Sequence, residues 1–318
     1  MATISDVSRL AKVSKATVSR VLSGNRGVRD DSRDAVLKAV DTLNYRPNVL
    51  AQNLASQKVN YVGVVLENCD SDLIGTSLTY LARGIEQQGL DMLVYLAADD
   101  AARDQHIERL QSMNAAAILV LGAKNLSISD ERIIQIDAAG ACQVSFDYQF
   151  ACESAGRYLL SQGHRQIALW LNDDEAVNES LLSGYRLALQ NQSLPFNRQL
   201  VLRGDKGSDQ PLLELLNRYL PFTALIVRWD SDAASAMRLL REFNIVVPQE
   251  VSVMSLEGSA LAEQLYPTLT CIQYPLTELI NNALAKLSAL LHQADDQHER
   301  GLLKGRLVIR DSVASITG

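Results

Sequence analysis

Between residues 13 and 22 the chain reads Val-Ser-Lys-Ala-Thr-Val-Ser-Arg-Val-Leu. Val18, Val21 and Leu22 fall together at helical spacing and form one apolar face. Lys15, Ala16, Thr17 and Arg20 are left pointing outward, with Ser14 placed to cap the helix. That set suits contact with double-stranded DNA. An arginine such as Arg20 can bond a guanine edge bidentately, and Lys15 can reach a base or a phosphate.

Two further helices must hold this face. The pattern predicts a first helix over Ile4–Ala11. Thr3 caps it with Asp6 three residues on, and Val7, Leu10 and Ala11 line one side. Three or four residues then separate it from the second helix, the spacing of a helix-turn-helix. In that motif the second helix enters the major groove with its N-terminal residues against the bases. Gly24 punctuates the end of the second helix. A third helix over Asp31–Asn44 closes the core with Val36, Ala39, Val40 and Leu43.

Charge follows the same division. Residues 1–60 carry ten Lys/Arg and five Asp, whereas the other residues carry twenty Lys/Arg and thirty-two Asp/Glu. A basic head on an acidic body concentrates attraction for phosphate at one end. Met1 leads straight into the first helix with no apolar signal segment, and no run approaches a membrane span, so the sequence predicts a cytoplasmic protein. Cys69, Cys142, Cys152 and Cys271 have no paired spacing and read as reduced, buried side chains. His106, His164, His292 and His298 form no metal-ligand cluster, and His164, after Gly163 at a helix end, reads as a structural cap. Neither a metal nor an organic cofactor is expected.

From Tyr61 onward apolar strands alternate with helices. Strands are expected at Tyr61–Leu66, Met92–Leu96, Ala117–Leu121, Val144–Asp147, Ile167–Leu171, Gln199–Leu202, Ala224–Val227, Val251–Leu256, Leu269–Ile272 and Leu302–Ile309. Helices fall at Ser77–Gln88, Ala101–Met113, Cys152–Gln162, Asn178–Asn191, Gln210–Tyr219, Asp230–Phe243 and Leu276–His292. Continuous apolar strands between helices mean parallel sheets covered on both faces, with ligands bound beyond the strands' carboxyl ends. No Gly-x-Gly-x-x-Gly or Gly-Lys-Ser/Thr loop follows the first strand, and no Ser/His/Asp constellation is evident. This argues against an enzyme.

The chain resembles the LacI/GalR family of bacterial transcription regulators. The resemblance rests on Ala-Thr-Val-Ser-Arg-Val-Leu at 16–22, Tyr45-Arg46-Pro47-Asn48, and Ala51 with Leu54-Ala55. In the body it rests on the Gly163–Ala168, Val247–Val253, Pro267–Thr270 and Arg310–Ser312 runs. It implies an α/β protein with a three-helix head (1–46), a hinge helix (47–58) and a body (59–318) of two lobes like a periplasmic sugar-binding protein. The first lobe would span about 59–147 plus 275–300 and the second about 150–272 plus 302–318. Crossings would lie near Phe146–Phe150, Gln273–Pro275 and Gly301–Gly305. The resemblance puts Thr3, Ser14, Lys15, Ala16, Thr17, Ser19, Arg20, Asn25, Tyr45, Asn48, Ala51, Leu54 and Ala55 at the DNA. Leu54 would wedge into the minor groove at the operator centre, where unstacking a step is offset by the contacts of a bent duplex. The plainer alternative makes Leu54 one apolar residue of a short linker.

The resemblance also marks where the effector pocket departs from its relatives. Asp147, Asp230 and Glu257 match polar pocket positions, but Trp229 stands where an Asn is usual. Leu181 replaces a common Arg three residues before Gly184, and Glu67-Asn68-Cys69-Asp70 replaces an Asn-Pro-Phe-Phe-like segment. Losing a guanidinium removes a fork suited to carboxylate or phosphate, while Trp229 offers a face for stacking. With Glu67, Asp147, Asp230 and Glu257 near one another the cleft would be acidic, favouring a neutral or partly cationic effector such as a sugar or nucleoside. The other reading packs Trp229 in the core and leaves the pocket without a conventional ligand.

Together these features imply a homodimeric repressor of a carbohydrate-utilisation operon, acting on a pseudo-palindromic operator under a small-molecule effector. The dimer would use the Ser77–Gln88 helix and surfaces near Leu276–His292 or the C-terminal strands. No leucine heptad follows Arg310–Ser312, so a tetramerising coiled coil is not expected. Alternatives are a body that answers to a partner protein and, more remotely, a solute-binding protein.

Overall fold

The computed structural model describes residues 2–22, 28–45, 60–67, 73–122, 126, 128–137, 145–172, 174–204, 208–293 and 302–316. Two compact units divide the chain, Met1–Asn60 and Tyr61–Gly318.

The head contains α1 (Ile4–Ala11), α2 (Lys15–Leu22) and α3 (Asp30–Thr42). Val7, Ala11, Val18, Val21, Val36 and Ala39 are its buried core, with Val40 and Leu43 half-buried against it. Leu10 departs from expectation and is 49% exposed. At about 100° per residue, Ala11 lies about 40° from Val7 while Leu10 lies about 60° to the other side, and the neighbouring helices cover only the first side. The third helix stops before the expected Asn44, which takes a left-handed backbone (φ 43°) that cannot continue a helix. Gly24 lies outside the described residues.

The body opens with β1 (Tyr61–Glu67), α4 (Ile74–Gln87), β2 (Asp91–Ala97), α5 (Asp100–Ser112), β3 (Ile118–Leu121) and β4 (Ile133–Ile136). Their strands form a parallel sheet in the order β2-β1-β3-β4. The sequence pattern assigns no element to Ile133-Ile134-Gln135-Ile136; pairing with β3 makes this short segment a strand. Next come β5 (Ser145–Phe146), α6 (Tyr148–Ser161), β6 (Ile167–Leu171), α7 (Glu175–Gln190), β7 (Val201–Arg203) and α8 (Gln210–Asn217). The chain continues through β8 (Ala224–Val227), α9 (Asp230–Glu242), β9 (Ser252–Ser255), α10 (Leu261–Gln264) and β10 (Thr270–Gln273). It ends with α11 (Leu276–His292), β11 (Leu302–Leu303) and β12 (Arg306–Val308).

The second sheet runs β12-β10-β9-β8-β6-β7, parallel except for β12. The single strand expected over Leu302–Ile309 is two. Leu302–Leu303 pairs with β5 and Arg306–Val308 pairs antiparallel with β10, so the chain changes partners at Lys304-Gly305. Helix α11 returns to the first sheet. Its Ile280, Ala283 and Leu287 share a buried cluster with Val62, Val64, Leu66, Leu81 and Ile134. Helices α6 and α7 approach so closely that a Cβ on Gly184 would stand 2.1 Å from the Gln149 carbonyl oxygen. Among the described residues no helix is long and apolar enough to cross a membrane.

Candidate functional site

In the head, Ser14 starts α2. Its Oγ accepts from the Thr17 backbone N–H at 3.1 Å and lies 2.9 Å from the Thr17 hydroxyl. With Val18 and Val21 buried, Lys15, Ala16 and Arg20 are exposed and Thr17 and Ser19 half-buried. Thr3 is exposed, and both its backbone N–H and its hydroxyl donate to Asp6 Oδ2, at 2.9 and 2.7 Å. Those bonds hold the Asp6 carboxyl below its usual range. Tyr45 packs half-buried against the head core. Asn25, Asn48, Ala51, Leu54 and Ala55 lie outside the described residues. One helix face therefore presents a cation at each end, Lys15 and Arg20, with the small residues Ser19 and Ala16 between them. That geometry suits a groove lined with base edges and flanked by phosphates.

In the body, the expected acidic cleft is largely consumed by internal structure. Glu67, at the end of β1, accepts from Arg103 Nη1 at 2.6 Å, and both side chains are buried. Arg103 also reaches Asp104 at 2.8 Å and Asp100 at 3.3 Å. Asp147 caps α6 by accepting from the Phe150 N–H at 2.8 Å. Asp230 is fully buried; it accepts from the Ser255 hydroxyl and from the Gly258 and Ser259 N–H groups. Its own N–H donates to Glu257 Oε2 at 2.9 Å. Asp230 and Glu257 thus staple the start of α9 to the turn after β9, where Gly258 holds φ +70°. Leu181 is buried and belongs to the large apolar cluster that also holds Ile226, Met254, Leu256 and Leu279. With no polar group to leave in a cleft, it has joined the core.

The residue that sequence reasoning missed is Arg228. It follows β8, is 7% exposed, and lies over the Trp229 ring at 4.2 Å. Its Nη1 faces Asp174 Oδ2 at 3.3 Å and its Nη2 donates to the Tyr148 hydroxyl at 3.2 Å. Tyr148 donates in turn to Asp137 Oδ2 at 2.6 Å, just beyond β4 in the first sheet. Asp137 Oδ1 also accepts from the Phe146 N–H at the crossing. Burial opposes the charge on Arg228, but Tyr148, Asp174 and Asp137 outweigh it and hold the guanidinium protonated. Burial and the Asp137 charge push the Tyr148 phenol well above its ordinary value. A chain of polar groups therefore joins the carboxyl ends of the two sheets. The signal was present: an arginine ends an otherwise apolar strand. Trp229 is half-exposed, and one face of its ring meets this arginine.

Nearby, Asn172 follows β6 and donates to Asp232 at 3.2 Å, while Asn178 donates to the Asn172 carbonyl at 2.6 Å. His164 is buried with Nδ1 3.0 Å from the Thr223 hydroxyl and Nε2 3.1 Å from the Ala314 carbonyl, a structural role. Cys152 is buried and its thiol is pushed up to about 12, chiefly by burial. Among the described residues no cluster of three or more His, Cys, Asp or Glu could hold a metal.

Comparison with known proteins accounts for both units. Residues 3–48 match the model of bacterial regulatory proteins of the lacI family, and residues 157–313 match a periplasmic binding protein-like domain. The chain is 31% identical to the HTH-type transcriptional regulator AscG of Escherichia coli (strain K12), over 98% of each chain. It is also 31% identical to the regulator GalR of Salmonella typhimurium (strain LT2), over all of this chain and 97% of that one. The fold is similar to the lac repressor dimer bound to operator and the anti-inducer ONPF. The TM-score is 0.86 at 22% identity, covering 98% of this chain and 99% of that one.

Proposed function

Because the chain belongs to the LacI family of bacterial regulatory proteins and is a DNA-binding transcriptional regulator, not an enzyme, we propose that it represses a carbohydrate-utilisation operon. It works in the cytoplasm without a metal or organic cofactor. Two copies bind the two halves of a pseudo-palindromic operator. A small neutral effector, a sugar or nucleoside, occupies the strand ends of the body and alters operator affinity. Effector and operator then change each other's affinity by the same factor.

The exposed Lys15–Arg20 face of α2 carries this reading, because a helix whose opposite face closes the head core has only that side to offer a groove. Arg20→Ala should relax base preference by about 1–3 kcal/mol at one position of each half-site. Gel shifts on an operator library read this directly; an equal loss across all sequences would reduce Arg20 to a phosphate contact. By resemblance, Leu54→Ala weakens operator binding with the body intact.

We place the second copy at a groove of about 650 Å³ beside α9, lined by Met237, Val246, Leu265 and Tyr266, and not on the Ser77–Gln88 and Leu276–His292 surfaces expected from the sequence. Tyr266 is 97% exposed. A lone apolar residue at a surface needs no explanation, but a groove with an aromatic at its rim fits an interface. The lac repressor that the fold resembles is itself a dimer on operator.

A further inference from the structure

We propose that the groove between β7 and α8, at the outer edge of the second sheet, binds a small phosphorylated anion. The site is separate from the strand-end cleft. Neither the polar chain from Arg228 to Asp137 nor Trp229, Asp230 or Glu257 lines any part of it.

Strand β7 ends its sheet, with β6 as its one neighbour. Helix α8 lies beside it. Gly204, just past β7, comes so close to α8 that a Cβ there would stand 2.2 Å from Pro211 Cγ. The groove between the two elements holds about 310 Å³, at the small end of the range for a ligand cleft. Leu202, Pro211 and Leu215 give it a buried apolar lining. Arg198, Arg203 and Arg218 line the same space. They reach it from three places: Arg198 opens the short turn before β7, Arg203 ends β7, and Arg218 follows α8.

The charge there runs against that of the body. Beyond residue 60 the chain carries twenty Lys/Arg and thirty-two Asp/Glu, yet this groove has three arginines and one carboxylate, Glu214. Three guanidiniums and one carboxylate leave two positive charges. A phosphate monoester carries about −1.5 to −2 at pH 7 and matches that excess. A single carboxylate would neutralise half of it, and an uncharged ligand none.

The arginines' present partners hold them weakly. Among the described residues Arg198 has no carboxylate partner. Arg203 reaches Glu175 at 2.9 Å and Arg218 reaches Glu214 at 3.3 Å, but all four side chains are at least half exposed. Exposed pairs of this kind give up their partners readily. A phosphate offers several oxygens, and a guanidinium fork takes two of them at once.

The test is isothermal titration of the full chain with inorganic phosphate, glycerol 3-phosphate and glucose 6-phosphate. It is run near physiological ionic strength, where diffuse attraction is screened. At least one of the three should bind, and the double variant Arg198→Ala/Arg203→Ala should weaken it about tenfold or more. Both side chains are exposed, so the variant should keep the wild-type melting temperature and operator gel shift. Arg20→Ala should leave phosphate affinity unchanged, which separates this groove from the basic head. Absence of binding by all three probes overturns the proposal. So does a loss well short of tenfold in the double variant, or an equal loss in Arg20→Ala. None of these results touches effector binding at the strand ends.

Discussion

Asp230 distinguishes a ligand contact from a structural staple. Its carboxylate takes three donors, the Ser255 hydroxyl and the Gly258 and Ser259 N–H groups, at a site with no solvent access. Asp230→Asn is nearly isosteric. One oxygen remains to accept from Ser255 and Gly258, but an amide NH₂ now faces the Ser259 N–H, donor against donor. The change removes one charge-assisted hydrogen bond, worth about 1.5–3 kcal/mol, and strands a buried N–H. A loss of roughly 2–4 kcal/mol follows. For a unit of this size about 1 kcal/mol moves the midpoint by about 2–4 °C, so the body should melt on the order of 10 °C lower. Asp230→Ala should cost more, since both backbone N–H groups are then orphaned. The assay is differential scanning calorimetry of the full chain, following the body transition, beside titration with whichever sugar binds the wild type. At a temperature where the variant is folded, its sugar affinity should stay within a few-fold of wild type. An unchanged melting temperature with lost sugar binding would refute the staple and restore Asp230 to the ligand.

Three other outcomes follow from the same geometry. Arg103→Met should cost the body about 3–5 kcal/mol, because it leaves Glu67 buried beside an apolar group, whereas Glu67→Gln should cost less, since Arg103 retains Asp104 and Asp100; equal losses in thermal melts would show that the pair is not desolvated. His164 is buried, and burial lowers its pKa below the ordinary value near 6.5. The unfolded chain therefore binds more protons just below pH 6.5, so stability is fully present above that pH and falls as the pH drops toward the folded value. His164→Asn should flatten this acid-side slope in melts between pH 7.5 and 5.5, and an unchanged slope would assign it to other groups. Tyr266→Asp should convert the dimer to monomer in sedimentation velocity without lowering the body's melting temperature; an unaltered sedimentation coefficient would move the interface elsewhere.

The parts legible in the sequence were those where one local rule sufficed. Lys15, Thr17 and Arg20 are read from a period of 3.6, and the exposed face follows once Val18 and Val21 are buried. The parallel sheets are read from uninterrupted apolar runs such as Ile167–Leu171 and Ala224–Val227. The body's polar residues were harder, because their roles depend on partners far along the chain. Glu67 meets Arg103, thirty-six residues on, and Asp230 meets Gly258 and Ser259. Counting carboxylates near strand ends suggested an acidic cleft, but charge in a folded protein is counted after pairing. The same arithmetic concealed Arg228. Leu181 shows a missing arginine at one position, while Arg228 is supplied at the end of a strand far along the chain. Strand β4 was invisible because only its pairing with β3 makes Ile133–Ile136 a strand.

Helix α11 has a consequence for how the protein is made. The apolar face formed by Val62, Leu66, Leu81 and Ile134 is covered by Ile280, Ala283 and Leu287, which leave the ribosome roughly 140 residues after Ile136. At about 5–20 residues per second, that face waits on the order of ten seconds for its cover. During that interval the nascent chain carries an unfinished greasy surface next to a second sheet that still lacks β12. Trigger-type chaperones that shelter apolar patches on emerging chains have their natural window here. A stop codon before residue 280 would leave the patch open for good, so truncated copies should be insoluble even when the head is intact.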